Sequence, residues 1–118
     1  MEDLTKAEEQ VLQVLWELES AFVKEIIEQW PEPKPAYNTI STFVRHLEDK
    51  GYVWHEPHGK SYKYYPLVSK KEYTKSYMKG LVNRYFKGSY KQMVSFFAQE
   101  EELDIQELEQ LIKELKKK

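Results

Sequence analysis

The chain contains no cysteine among its 118 residues. That absence removes disulfides, thiol nucleophiles and thiolate metal sites together. Glycine is scarce too, with four residues in all, and no Gly-rich phosphate-cradling motif can be read. No serine has a histidine neighbour in a strand-turn-helix setting, so no enzyme and no cofactor are expected. Nowhere does the sequence approach the roughly 18 uncharged apolar residues that a bilayer span needs. The opening residues 1–10 lack the basic-then-apolar layout of a secretory signal, and a cytoplasmic location is the expectation. Charge of one sign is also missing, because the formal net charge is only −2.

What is present is enough apolar material for a core, 41% of residues, and 32% charged residues to keep its surface wet. The charges are sorted along the chain. Residues 1–32 hold nine acids against two lysines, or −7, and residues 92–118 hold seven acids against four lysines, or −3. Between them, residues 33–65 carry +2 and residues 66–91 carry +6. The middle of the chain is the part suited to a phosphate backbone.

Periodicity divides the chain into elements. Leu4, Ala7, Val11, Val14, Leu15 and Leu18 recur at helical spacing, and Thr5 with Glu8 has the form of a capping box. Val23, Ile26, Ile27 and Trp30 predict a second helix of about ten residues, stopped by Pro31, Pro33 and Pro35. A third helix, from Ala36 to Lys50, places Ile40, Phe43, Val44 and Leu47 on one face and stops at Gly51. Tyr52–Glu56 and Ser61–Tyr65, joined by the tight segment Pro57-His58-Gly59-Lys60, read as a β-hairpin. Three helices and then a hairpin is the order of a winged helix-turn-helix, whose third helix enters the major groove.

Beyond Leu67 the pattern is helical again. Ser69 and Glu72 can cap a helix from Lys70 to about Phe86, Tyr90–Ala98 is a short amphipathic segment, and Asp104 with Glu107 opens a last helix. The expected fold is thus mainly α with a small β-hairpin wing: a winged helix-turn-helix domain over residues 1–68 and a helical dimerisation tail over 69–118. About 50 residues are marginal for an independent core. A homodimer is therefore expected, with Tyr77, Leu81, Tyr85, Val94, Phe97, Leu108, Leu111, Ile112 and Leu115 at its interface.

The polar face of the third helix supplies the candidate DNA contacts. Asn38 can bond adenine, Arg45 can reach guanine O6 and N7, and Thr42 can meet a thymine methyl or a phosphate. Small Ser41 lets the helix sink toward the groove floor. Thr39 and His46 flank this face, Tyr37 and Lys34 sit near the helix N-terminus where phosphates are favoured, and Lys60 at the wing tip suits the sugar-phosphate backbone. His46, His55 and His58 match no common ligand spacing, so no metal site is expected. Tyr62, Tyr64, Tyr65, Tyr73, Tyr77, Tyr85 and Tyr90 are read as packing residues rather than as a stacking platform for single strands. A winged-helix module that binds another protein and no DNA is the competing class.

Several segments, taken in order, resemble one family. They are Leu4-Thr5-Lys6-Ala7-Glu8 with Val14-Leu15-Trp16, then Thr39-Ile40-Ser41-Thr42 with Leu47 and Lys50-Gly51-Tyr52, then Tyr64-Tyr65-Pro66-Leu67, Phe86-Lys87-Gly88 and Met93-Val94. Together they resemble the BlaI/MecI group of penicillinase and methicillin-resistance repressors. The resemblance implies a homodimer on a palindromic operator, repressing resistance genes until a membrane sensor detects a β-lactam and the tail is cut. The family's Leu-Asn-Phe scissile segment aligns with Ser95-Phe96-Phe97, so Phe96 stands in place of the family's Asn. In helix three the usual Arg before the closing Leu is His46, and Arg45 stands one place earlier. Related copper-responsive repressors of CopY type use C-terminal cysteines, which this chain lacks.

Overall fold

The computed structural model describes residues 2–100 and residues 106, 109, 110, 113 and 114. Two compact units divide the chain, Met1–Thr74 and Lys75–Lys118. In the first, helix α1 runs Lys6–Leu18 and its N-terminal capping box is formed in full. The Thr5 hydroxyl accepts from the Glu8 amide at 3.2 Å, and the Glu8 carboxylate accepts from the Thr5 amide at 2.9 Å. Two amides that the helix leaves without partners are thereby satisfied.

Helix α2 runs Val23–Glu28, shorter than its apolar spacing predicts. Pro31 is the reason, because its ring disfavours the helical backbone of the residue before it. The Lys34 ammonium then caps this end, donating to the carbonyls of Glu28 at 2.9 Å and Trp30 at 2.5 Å. Helix α3 runs Tyr37–Asp49 and buries Ile40, Val44 and Leu47 completely. It packs on α1 and α2, with Phe43 partly buried at the core edge. Gly51, at a φ of 84°, ends it in the left-handed conformation that a Schellman stop requires. The Gly51 and Tyr52 amides accordingly donate to the Glu48 and Leu47 carbonyls, each at 2.9 Å.

Strands β1 (Val53–His58) and β2 (Ser61–Pro66) form an antiparallel pair. The sequence pattern places Pro57 and His58 in a four-residue turn, whereas the turn is Gly59-Lys60 alone. Proline is tolerated here because His58 and Ser61 close the hairpin, so the next pair, Pro57 with Tyr62, is one whose amides point away from the partner strand. Ala21 and Tyr64 exchange both backbone hydrogen bonds, which ties β2 to the connection between α1 and α2. Val11, Leu12, Leu15, Ile26, Val53 and the three α3 residues form the sealed core of this unit.

Helix α4 runs Lys70–Phe86, and its Ser69/Glu72 capping box is formed. Its first turn belongs to the first unit. There the Tyr73 hydroxyl donates to the Glu9 carboxylate at 2.7 Å, and its ring lies 5.7 Å from that of Trp16. Trp16 in turn donates its indole N–H to the Val68 carbonyl at 2.9 Å.

In the second unit, α4 is followed by α5, Tyr90–Glu100. Val82 is sealed, the Phe86 and Phe96 rings meet at 5.7 Å, and Leu81 and Val94 are half-buried. Tyr77, Tyr85, Phe96 and Phe97 are exposed. Residues 106, 109, 110, 113 and 114 are helical. The expected interface residues Leu108, Leu111, Ile112 and Leu115 lie outside the described residues. Among the described residues no helix is long and apolar enough to cross a membrane.

Candidate nucleic-acid interface

With one face of α3 buried, its polar face is the one left to solvent. Tyr37, Asn38, Thr39, Arg45 and His46 are exposed, and Ser41 and Thr42 are half-buried. Thr42 donates its hydroxyl back to the Asn38 carbonyl at 2.8 Å, a bond that occupies its proton within the helix. The Arg45 guanidinium reaches back to the Thr42 oxygen at 3.3 Å. That contact steadies the side chain on the helix surface and uses one donor of a five-donor fork. Asn38, Ser41, Thr42 and Arg45 therefore share one strip, exposed at Asn38 and Arg45 and half-buried between them.

His46, beside this strip, has a carboxylate within reach. Its Nδ1 lies 3.3 Å from the Glu8 carboxylate, which also takes the Lys50 ammonium at 2.7 Å. Glu8 is the one buried charged residue among the described residues. Burial works to raise its pKa, but the Lys50 hydrogen bond, the Thr5 amide and the charges of Lys50 and His46 outweigh that, and the net shift is downward. Lys50 is shifted upward, chiefly by the same hydrogen bond. The Lys50 ammonium also donates to the Asp3 carbonyl at 3.0 Å, and the Tyr52 hydroxyl donates to the Glu2 carbonyl. These contacts pin the C-terminal end of α3 to the start of α1. Lys34, expected beside phosphates, is committed to the carbonyls of α2.

The wing is anchored to α3 from the other side. His55 Nδ1 lies 2.5 Å from the Glu48 carboxylate. Around the imidazole stand Trp54, stacked at 4.7 Å, Tyr62 at 4.3 Å and Tyr64 at 5.7 Å. Burial raises the pKa of the Tyr64 hydroxyl, Glu48, Tyr37 and Tyr62 raise it further, and Arg45 opposes them. Groups from α3 and from the wing thus share one corner. Lys60, in the two-residue turn, is exposed. The Glu48–His55 link was not legible in the sequence, where His55 was weighed only as a metal ligand. The available signal was the position of Glu48, three residues after Arg45 and seven after Ser41, on the same side of a helix. The three histidines lie beside three different carboxylates, Glu8, Glu48 and Glu56.

A family model described as "Penicillinase repressor" matches residues 4–117. The chain belongs to the penicillinase-repressor family. One relative is the methicillin resistance regulatory protein MecI of Staphylococcus aureus (strain N315), 29% identical over 98% of this chain and 95% of that protein. Another is the penicillinase repressor of Bacillus licheniformis, 27% identical over 96% of this chain and 91% of that one. The solution structure of the DNA binding domain of the repressor BlaI superposes with a TM-score of 0.53, at 26% identity, over 60% of this chain and 88% of its own. The winged-helix arrangement of α1, α2, α3 and the hairpin is thus shared with a penicillinase-repressor DNA-binding domain. The matched family is named for repressors, not for an enzyme.

Proposed function

We propose that this chain is a sequence-specific DNA-binding transcriptional repressor, acting in the cytoplasm as a homodimer on a pseudo-palindromic operator. The supporting observation is the exposed strip of Asn38, Ser41, Thr42 and Arg45 on a helix whose opposite face is sealed into the core, in a chain of the penicillinase-repressor family. In this reading α3 enters the major groove, with Tyr37 and Thr39 beside the backbone. Lys60 approaches a phosphate from the wing. His46, exposed beside this strip and 3.3 Å from the Glu8 carboxylate, flanks the contact.

The DNA-binding region covers about residues 1–68, and residues 69–118 carry dimerisation through the exposed or half-buried Tyr77, Leu81, Tyr85, Val94 and Phe97. A single small module makes too few contacts to pick one site in a genome, and a two-fold pair doubles them. The regulated genes are of β-lactam-resistance type, and repression ends when the tail is cut or the dimer is lost. Ser95, Phe96 and Phe97 lie inside α5. A protease acting there needs that helix to open locally first.

The test is a fluorescence titration of the full chain against random-sequence duplex at rising salt. Micromolar affinity that collapses as salt rises is the expected result. Absence of any salt-dependent binding would leave the protein-interaction module as the reading.

A further inference from the structure

We propose that His55 is a positioning residue for DNA, holding the Glu48 carboxylate against the wing so that it neither meets phosphate nor competes for Arg45. The inference rests on the DNA-binding reading above. Glu48 follows Arg45 by three residues and Ser41 by seven, which puts its carboxylate on the side of α3 that meets the duplex. An uncompensated carboxylate there repels phosphate, and it also competes for the Arg45 guanidinium at helical i, i+3 spacing.

Glu48 does neither in this structure, its carboxylate lying 2.5 Å from His55 Nδ1 while Arg45 turns to Thr42 at 3.3 Å. The pair is well shielded, with side-chain exposures of 22% for His55 and 17% for Glu48. Trp54, Tyr62 and Tyr64 hold the imidazole on the wing, so the group that meets Glu48 is itself fixed in place. Tyr62 and Tyr64 of β2 stand against His55, Tyr37 and Arg45 of α3 act with Glu48 on the Tyr64 hydroxyl, and exposed Asp49 follows Glu48 on α3. Arg45, three residues before Glu48 on α3, is the group kept for DNA.

The experiment measures binding of the full chain to a labelled random-sequence duplex in slightly acidic buffer. His55→Gln keeps a hydrogen-bonding side chain without the charge, and the expected loss of affinity is about tenfold. His55→Lys restores the charge and binds as the unmodified chain does. Adding Glu48→Gln to His55→Gln brings affinity back to within about twofold of Glu48→Gln alone, because no carboxylate is left to compensate. The proposal is overturned if His55→Gln binds normally, if His55→Lys is as weak as His55→Gln, or if the double variant is not rescued. An unmodified chain without salt-dependent binding overturns the DNA-binding reading itself, and this inference with it.

Discussion

In the first unit Val11, Leu12, Leu15, Ile26, Ile40, Val44, Leu47 and Val53 are all sealed from solvent, whereas in the second only Val82 is, among the described residues. There Tyr85 is 70% exposed, Phe96 48% and Phe97 43%. Both regions are rich in large apolar residues, but the first encloses them with three helices and a hairpin and the second has two described helices to do so. Among the described residues, the first unit seals a core of its own, while the second leaves large rings open to solvent.

Charge follows the same division. The buried Glu8 is compensated by Lys50 and His46 inside the first unit. Lys75, Lys79, Arg84, Lys87 and Lys91 of the second are exposed.

The sharpest way to break this contrast is to spoil the apolar surface of the second unit. Phe97→Asp should weaken self-association by about 2–4 kcal/mol, read by sedimentation equilibrium, and leave the melting of the first unit unchanged. A dimer that survives it would mean that the exposed rings serve another purpose.

A smaller effect is expected from within the first unit. Glu8→Gln removes a carboxylate whose pKa is lowered below 4.5 in the folded chain. Its contribution is therefore present at neutral pH and lost as pH falls through that lowered value. The variant should be less stable by about 1–3 kcal/mol at neutral pH, with a flatter acid limb, in chemical denaturation across pH. Self-association should be untouched.

The helices of the first unit were legible because their apolar residues repeat at 3.6-residue spacing and because Thr5, Ser69 and Gly51 are side-chain or backbone signals at the helix ends. The hairpin was legible in type, but its turn was not. Whether Pro57 continues a strand depends on which ladder amides face the partner, and that is a property of register, not of composition. The α3 strip was legible for the same reason as the core, since a helix that buries Ile40, Val44 and Leu47 must expose Asn38, Thr42 and Arg45.

The partners of the polar side chains were not legible. His46 meets Glu8 and His55 meets Glu48 across 38 and 7 positions of sequence, distances that no local pattern reports. Lys34 stands near the N-terminus of α3, where phosphates are favoured, but its ammonium meets the Glu28 and Trp30 carbonyls, a contact no local pattern reports.

The central claim, that the exposed strip of α3 reads DNA sequence, is tested most directly by comparing Arg45→Ala with Lys60→Ala. The probes are a duplex recovered from a random pool by the unmodified chain and a random duplex. Arg45→Ala should cost about 1–3 kcal/mol on the recovered duplex and far less on the random one. Lys60→Ala should weaken both alike by a smaller amount and lower the salt slope by about one. Unchanged affinity of Arg45→Ala for the recovered duplex would contradict the account.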